Sequence, residues 1–416
     1  MHTVEEALRL VQEHARPLAP RRVPLGEAAG LLLAEDVATD VNSPPHDKAL
    51  MDGYAVVSSD RQTERRVLEE VAAGDVPRRP LTPGSVTRVM TGAPLPDGAD
   101  AVVAVEQTEL VDDRTVRLLQ TDPPPGQHIL PLATSLRAGD IVLHKGAELR
   151  PIELGILAEI GLALVTAWPR PRVAVLPTGN ELVPVGERPA PGQIRNSNGP
   201  MLLSAIGRLG ATALELPIGR DDRGQLRALV EQGLEADVLV LCGGVSAGKF
   251  DLVPEVLGGL DVAQVFHKVA LRPGKPLWFG VKSSAARQVL VFGLPGNPVS
   301  SLVCFELFVR PAIAALAGRG FSGATVISAR LSHEFLHKGG RESCLPARIS
   351  TGSAIIGESQ HEAVRDGASR DQPSVEILPW HGSADLATLA RANALVRLPA
   401  EAAQIRAGTI VDVISL

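Results

Sequence analysis

LCGGVSAGKFD, running from Leu241 to Asp251, sets two glycines, a serine, a lysine and an aspartate directly after a short apolar run. Glycines at a strand end expose backbone amides, and a helix that follows presents its N-terminus, so such a turn can cradle a phosphate or another oxyanion. The stretch is not a P-loop. That motif reads G-x-x-x-x-G-K-[ST], and here Phe250 follows Lys249, so no hydroxyl stands ready for magnesium. Two similar endings occur: PTGNE (177–181) after an apolar run, and LPGNPVSS (294–301) after another. One such turn is more often an ordinary strand-to-helix connection, but three at one sheet edge point to a site. In this reading Gly243, Gly244 and Ser246 offer anion-binding groups, and Pro298 stands near a first helical turn.

Charged side chains give a second theme. HKVALRPGKPLWFG carries Lys268, Arg272 and Lys275 on a strand and the turn after it, where two lysines could hold a polyanion. In isolation a solvated edge strand explains them better. Asp52, Glu181, Asp221 and Asp251 could hold a hard divalent cation such as magnesium. Each also has a structural explanation: Asp221 opens a helix as a cap, and Asp52 precedes Gly53 in a turn. His333 and His337 have the spacing of zinc ligands but fall in an expected loop, so zinc is not expected. G-x-S-x-G is absent as well.

The elements that must position these residues follow from pattern. Thr3 and Glu6 form a capping box before an amphipathic N-terminal helix. From about Val56 to Val142, short β-branched pieces between Pro and Gly turns predict a mostly β domain. PIELGILAEIGLALV has helical spacing and ends its helix at Gly161. After Pro171, apolar strands alternate with helices, the signature of a parallel sheet covered on both faces, with ligands beyond the carboxyl ends of its strands. From about Gly323 the pattern returns to short strands: TVISARLS, SVEILP, ALVRLPA and TIVDVISL. The polar stretch 351–374 reads as a long surface loop.

Bulk properties exclude several classes. The chain has 416 residues, enough for two to four domains. Aromatics make up only 3%, with Tyr54 the single tyrosine, so base-stacking platforms are not expected. A net charge of -6 argues against a general nucleic-acid or membrane-surface binder. Cys242, Cys304 and Cys344 are too scattered for a disulfide framework and suit a reducing cytoplasm. No signal peptide is expected in the polar first ten residues, nor a charge-free apolar run of membrane-spanning length.

Taken in order, MDGYAV, VMTGAPLPDGADAVV, RPRVAVLPTGNEL, SNGPML, CGGVSAG, ALRPGKPLWFG, GLPGNPVSS and LARANALVRLP resemble the MoeA/gephyrin E-domain family, the molybdopterin molybdenumtransferases. The resemblance runs from the N-terminal helix to Leu398. It implies a multidomain α/β chain of four parts: a discontinuous N-terminal region (1–44 with 139–170), an inserted β domain (45–138), a central α/β domain like that of molybdopterin adenylyltransferases (171–320) and a C-terminal β domain (321–416). It implies a homodimer whose site is completed by the partner subunit's β domain. The family reaction takes adenylylated molybdopterin and molybdate, releases AMP and joins molybdenum to the dithiolene with a divalent cation, Mg2+, assisting; a molybdopterin adenylyltransferase is an implied partner.

Residue by residue, the resemblance makes Lys268 and Lys275 the holders of phosphate and molybdate. It makes Asp52, Glu181, Asp221 and Asp251 acidic site residues, the last three as metal ligands, and Thr91 an active-site threonine. Pro298 and Ser300 shape a loop near molybdate, Ser383 falls in a C-terminal site motif, and Arg348 lies near the position of a site arginine. The chain also departs from the family pattern. Ala133-Thr134-Ser135 stands where Gly-Glu-Asp is usual, HDKAL precedes MDGYAV, Asn180 replaces Asp, Lys249 replaces a common acid, and Pro346 stands where arginine aligns. An altered paralogue acting as a gephyrin-like scaffold is therefore the alternative to a working enzyme.

Overall fold

The computed structural model describes residues 1–244, 252–285, 287–350, 373–401 and 404–416. These fall into two compact units: Met1–Arg21, Gly30–Leu32 and Ala167–Leu416 form one, and Arg22–Ala29 with Leu33–Thr166 the other.

The first unit is built on a six-stranded sheet. Its order is Thr212–Glu215, Arg172–Pro177, Val238–Cys242, Gln288–Leu294, Trp278–Ser283 and Ala263–His267. The first four strands are parallel, as the alternating pattern predicts. The last two pair antiparallel, so the sheet is mixed, and HKVALRPGKPLWFG is the turn of a hairpin at its edge. Both faces are buried. Val173, Val175, Val238 and Val240 belong to one core, and Ala174, Leu176, Leu239 and Leu241 to another on the opposite face. This two-sided burial is why these strands read as unbroken apolar runs.

Helices Asn198–Arg208 and Arg223–Gly233 supply the two covers, through Leu202 and Ile206 on one face and Leu226 and Val230 on the other. The N-terminal helix Val4–His14 packs Val4, Ala7 and Val11 into the first core, and its capping box is formed at both ends, at 2.9 and 3.1 Å. The helical stretch Pro298–Leu316 is long and apolar enough to cross a membrane, yet 83% of it is buried inside the fold. Its middle, Phe305–Val309, is π-helical. Pro311 has no N–H to offer the ladder, and the wider turn directly before it absorbs the mismatch. The same helix buries Glu306, which is 3% exposed and takes a two-pronged ion pair from Arg310, with Nη2 donating to Oε1 at 2.9 Å.

The C-terminal strands Glu342–Ser350, Ser374–Ile377, Val326–Leu331, Ile410–Ser415 and Ala394–Leu398 form a ring, because the first also pairs with the last. Closure removes the exposed edges of that ring. All four strands predicted here are present. The fifth, Glu342–Ser350, was missed because Pro346 lies in its middle, and proline inside an apolar run argues against a strand. The two residues Leu271–Arg272 add to its flank in parallel, tying the sheet's hairpin to the ring. The predicted surface loop lies, except for its last two residues, outside the described residues.

The second unit carries another six-stranded sheet, ordered Ala101–Ala104, Gly53–Val56, Ser85–Val89, Glu64–Val71, Thr115–Leu118 and Thr108–Asp112. It matches the predicted β character. Arg65, 1% exposed, closes one end: its guanidinium donates to the carbonyls of Gln62, Val57 and Asp60 and pairs with the Asp60 carboxylate at 3.4 Å.

Arg310→Met leaves the Glu306 carboxylate buried without its cation, which costs about 3–5 kcal/mol. The expected outcome is a clear fall in the urea midpoint followed by far-UV circular dichroism. Replacing both partners with apolar residues should recover most of that loss.

Candidate functional site

The three glycine-rich strand ends meet. A cavity of about 590 Å³ lies at the carboxyl edge of the parallel strands, lined by Thr178 and Glu181 after the first, Cys242, Gly243 and Gly244 after the second, and Pro295 to Pro298 after the third. A larger hollow of about 790 Å³, bounded by Ser332 and His381, holds none of the predicted site residues among the described ones. The smaller one gathers the predicted Glu181, Gly243, Gly244 and Pro298.

Close backbone contact makes the edge possible. Gly243 sits at φ +101°, and a Cβ there would stand 2.6 Å from the Thr178 carbonyl oxygen. Its amide donates to the Leu294 carbonyl at 3.0 Å, while Thr178 N–H donates to the Cys242 carbonyl at 3.0 Å. The three strand ends are thereby laced together at their last residues. Ser246 and Asp251, the remaining predicted members of this turn, lie outside the described residues.

Glu181 is positioned by a residue the sequence reading missed. Arg220 Nη1 donates to the carbonyls of Gly179, Asn180 and Leu182, at 3.2, 3.2 and 2.7 Å. One guanidinium therefore holds the loop that carries Glu181. From the other side, the Asp221 amide donates to Asn180 Oδ1 at 3.0 Å, which joins the loops of the two acids. Asp221 is not the helix cap: Asp222 is, accepting from the Gln225 amide at 2.8 Å. Nothing in the spacing around Arg220 marks it, since beside two aspartates it reads as an ordinary surface charge.

Asn297 Nδ2 donates to Ser383 Oγ at 2.8 Å, and the Val299 amide donates to the Ser383 carbonyl at 3.0 Å. The C-terminal segment thus reaches the Pro298 loop. Ser300, in the helix's first turns, is 4% exposed and does not line the cavity. Arg348 lies on the ring strand Glu342–Ser350, donates to the Arg391 carbonyl at 3.2 Å and does not line it either. Asn198, 8% exposed, donates to the Gly296 carbonyl at 2.7 Å, while its buried Oδ1 has no partner among the described residues.

Lys268 and Lys275 flank one turn. The Lys268 amide donates to the Leu277 carbonyl at 2.8 Å, and the Val269 amide to the Lys275 carbonyl at 3.0 Å. Lys268 has φ +75°, a left-handed conformation that costs a non-glycine residue about 1–3 kcal/mol and concentrates at functional sites. Pro276, next to Lys275, lines the cavity.

In the second unit, Asp52 and Thr91 are brought together. Asp52 Oδ1 accepts from the Thr91 amide at 2.7 Å and from its hydroxyl at 2.8 Å. The amide hydrogen bond first, and the hydroxyl second, hold the carboxyl below the usual aspartate range. Burial pushes the Cys242 and Cys344 thiols up to about 12, so both stay protonated near neutral pH. Among the described residues no group of three or more His, Cys, Asp or Glu is placed to hold a metal ion.

Three family descriptions match the chain in sequence. Residues 2–161 match the MoeA N-terminal region (domains I and II), 174–315 a probable molybdopterin-binding domain, and 328–416 the MoeA C-terminal region (domain IV). The chain is 35% identical to molybdopterin molybdenumtransferase 2 of Mycobacterium tuberculosis, covering 99% of each chain. It is 31% identical to the molybdopterin molybdenumtransferase of Staphylococcus epidermidis, covering 99% of this chain and 95% of that one. Two solved structures of molybdopterin biosynthesis MoeA proteins from Pyrococcus horikoshii superpose with TM-scores of 0.79 and 0.70, at 30% and 26% identity. The first covers 99% of this chain and 98% of that one, the second 100% of both.

Thr91→Val removes one of the two hydrogen bonds to the Asp52 carboxylate and should raise its titration midpoint toward the ordinary aspartate range. Because the group is depressed in the folded chain, its contribution to stability is present above the unfolded pKa and lost as pH falls through the folded one; in the variant that contribution is smaller and its loss is complete at a higher pH. Carboxyl ¹³C chemical shifts against pH read it directly. Gly243→Ala forces a side chain into the left-handed region and against the Thr178 carbonyl. Thermal unfolding should show a loss of at least about 1–3 kcal/mol.

Proposed function

The chain belongs to the MoeA family, and on that premise we propose that it is a molybdopterin molybdenumtransferase, taking adenylylated molybdopterin and molybdate and releasing AMP in molybdenum cofactor biosynthesis. The observation that carries this reading is the cavity where the Gly243-Gly244 turn, the Glu181 loop and the Pro298 loop converge, beside the turn bearing Lys275. The scaffold alternative has no observation in its favour.

The proposed chemistry asks three things of these residues. Breaking the pyrophosphate link, with water adding its oxygen to one phosphorus and the bridging oxygen leaving on the other, builds negative charge on phosphate oxygens. We assign Lys268, Lys275 and the amide of Gly244 to that charge, the Gly243 amide being taken by the Leu294 carbonyl. Joining molybdenum to the dithiolene exchanges oxygens of molybdate for sulfur, with the displaced oxygen leaving as water. The loop of Pro298, fastened to Ser383, and the lysine turn serve that oxyanion.

Glu181 and Asp221 fit magnesium by donor chemistry: both are exposed carboxylates outside any ion pair among the described residues, on loops joined through Asn180. Magnesium takes one or two carboxylates and completes its shell with phosphate and water oxygens, where it neutralises developing charge. Asp251 is proposed as the third ligand. We also propose that the chain works in the cytoplasm as a homodimer, Asp52 and Thr91 of one subunit completing the site of the other, and receives its substrate from a molybdopterin adenylyltransferase.

AMP release from adenylylated molybdopterin, assayed with magnesium and with or without molybdate, tests the reading. Molybdate-dependent release is expected; binding without release would favour a degraded site. Lys275 is exposed, so Lys275→Ala should cut kcat/KM by about 100-fold with no change in Tm. Mixing the impaired Lys275→Ala and Asp52→Asn chains should restore part of the activity if subunits share sites, and none if each site is self-contained.

A further inference from the structure

The cavity carries a positive charge that the proposed reaction has not used. Arg195, at the end of the short strand Ile194–Arg195, lines it together with Glu181. That strand runs parallel to Leu182–Val183. The amides of Ile194 and Asn196 donate to the carbonyls of Glu181 and Val183 at 2.8 and 3.0 Å. Paired backbone, rather than a free loop, therefore sets the placement of the two charged residues. Glu181 and Arg195 have opposite charges and line one cavity, yet among the described residues neither enters an ion pair. A ligand that brings both an oxyanion and a cation would satisfy both.

The guanidinium itself is half used. Arg195 Nε donates to the Glu187 carbonyl at 2.9 Å, which anchors the side chain. Nη1 and Nη2 have no protein partner among the described residues. Two parallel N–H donors from such a fork match two oxygens of a phosphate or a similar tetrahedral oxyanion, and the anchor reduces the entropy lost on binding.

We propose that Arg195 is a substrate-binding residue of this cavity, taking two oxygens of a tetrahedral oxyanion, either a phosphate of the nucleotide part of the substrate or molybdate. The assignment rests on reading the cavity as the transferase site. It gives the cavity a division of charge, with the cation side at Glu181 and the anion side at Arg195, on neighbouring strands.

Isothermal titration of the full wild-type chain, Arg195→Ala and Arg195→Lys with AMP, adenosine and molybdate tests it. Arg195→Ala should weaken the anion it serves by about 10- to 100-fold, as expected for hydrogen bonds to a charged group. Arg195→Lys should recover only part, because a point charge lacks the fork. Adenosine, without a phosphate, should bind all three chains alike. Weakening of AMP alone assigns Arg195 to the nucleotide phosphate, and weakening of molybdate alone assigns it to molybdate. Equal affinity of wild type and Arg195→Ala for both anions overturns the proposal and leaves the transferase reading standing. Parallel weakening of adenosine would mean a distorted pocket and overturns it too. A wild-type chain that binds neither anion removes the transferase reading, and the assignment of Arg195 with it.

Discussion

Everything at the candidate site depends on how closely three strand ends approach one another. Gly243 packs where a Cβ would stand 2.6 Å from the Thr178 oxygen, and its own amide reaches across to Leu294. Without a side chain at 243, the second strand's exit packs directly against the Thr178 backbone of the first. The cavity opens where these exits meet. Any larger residue would push the Thr178 and Pro295 segments apart and change the spacing of every group that lines it.

On that base the charged groups are placed by backbone contacts rather than by one another. Arg220 holds the Glu181 loop through three carbonyls, Asn180 receives the Asp221 amide, and Arg195 is pinned by the Glu187 carbonyl. Carbonyl anchors leave carboxylates and guanidinium edges uncommitted, which is what a site for a charged ligand requires. Glu306 with Arg310, and Asp60 with Arg65, show the opposite arrangement, in which buried charges neutralise each other and serve the fold.

The hairpin bearing Lys268 and Lys275 has two anchors. It belongs to the edge of the central sheet, and Leu271–Arg272 pairs with the C-terminal ring. A left-handed lysine persists only where its surroundings over-determine it, and here hydrogen bonds from both ends of the turn do so. The ring thus steadies the lysine turn as well as reaching the Pro298 loop through Ser383.

The alternation of apolar runs and helices was enough to give the central sheet, because strands buried on both faces must be continuously apolar. Polar, glycine-rich endings were enough to mark its carboxyl edge, since tight exits need glycine whatever they bind. The string of motifs gave the family. Pairing partners were not legible. Pro346 disguised the longest ring strand, and two antiparallel strands joined a sheet whose pattern speaks only of parallel ones. Nor could spacing separate Asp222 the cap from Asp221, or reveal that Arg220 and Arg195 differ from surface arginines. Those distinctions arise from which carbonyl lies within about 3 Å of which donor. Only folding brings residues 41 or 98 positions apart in the chain to that distance.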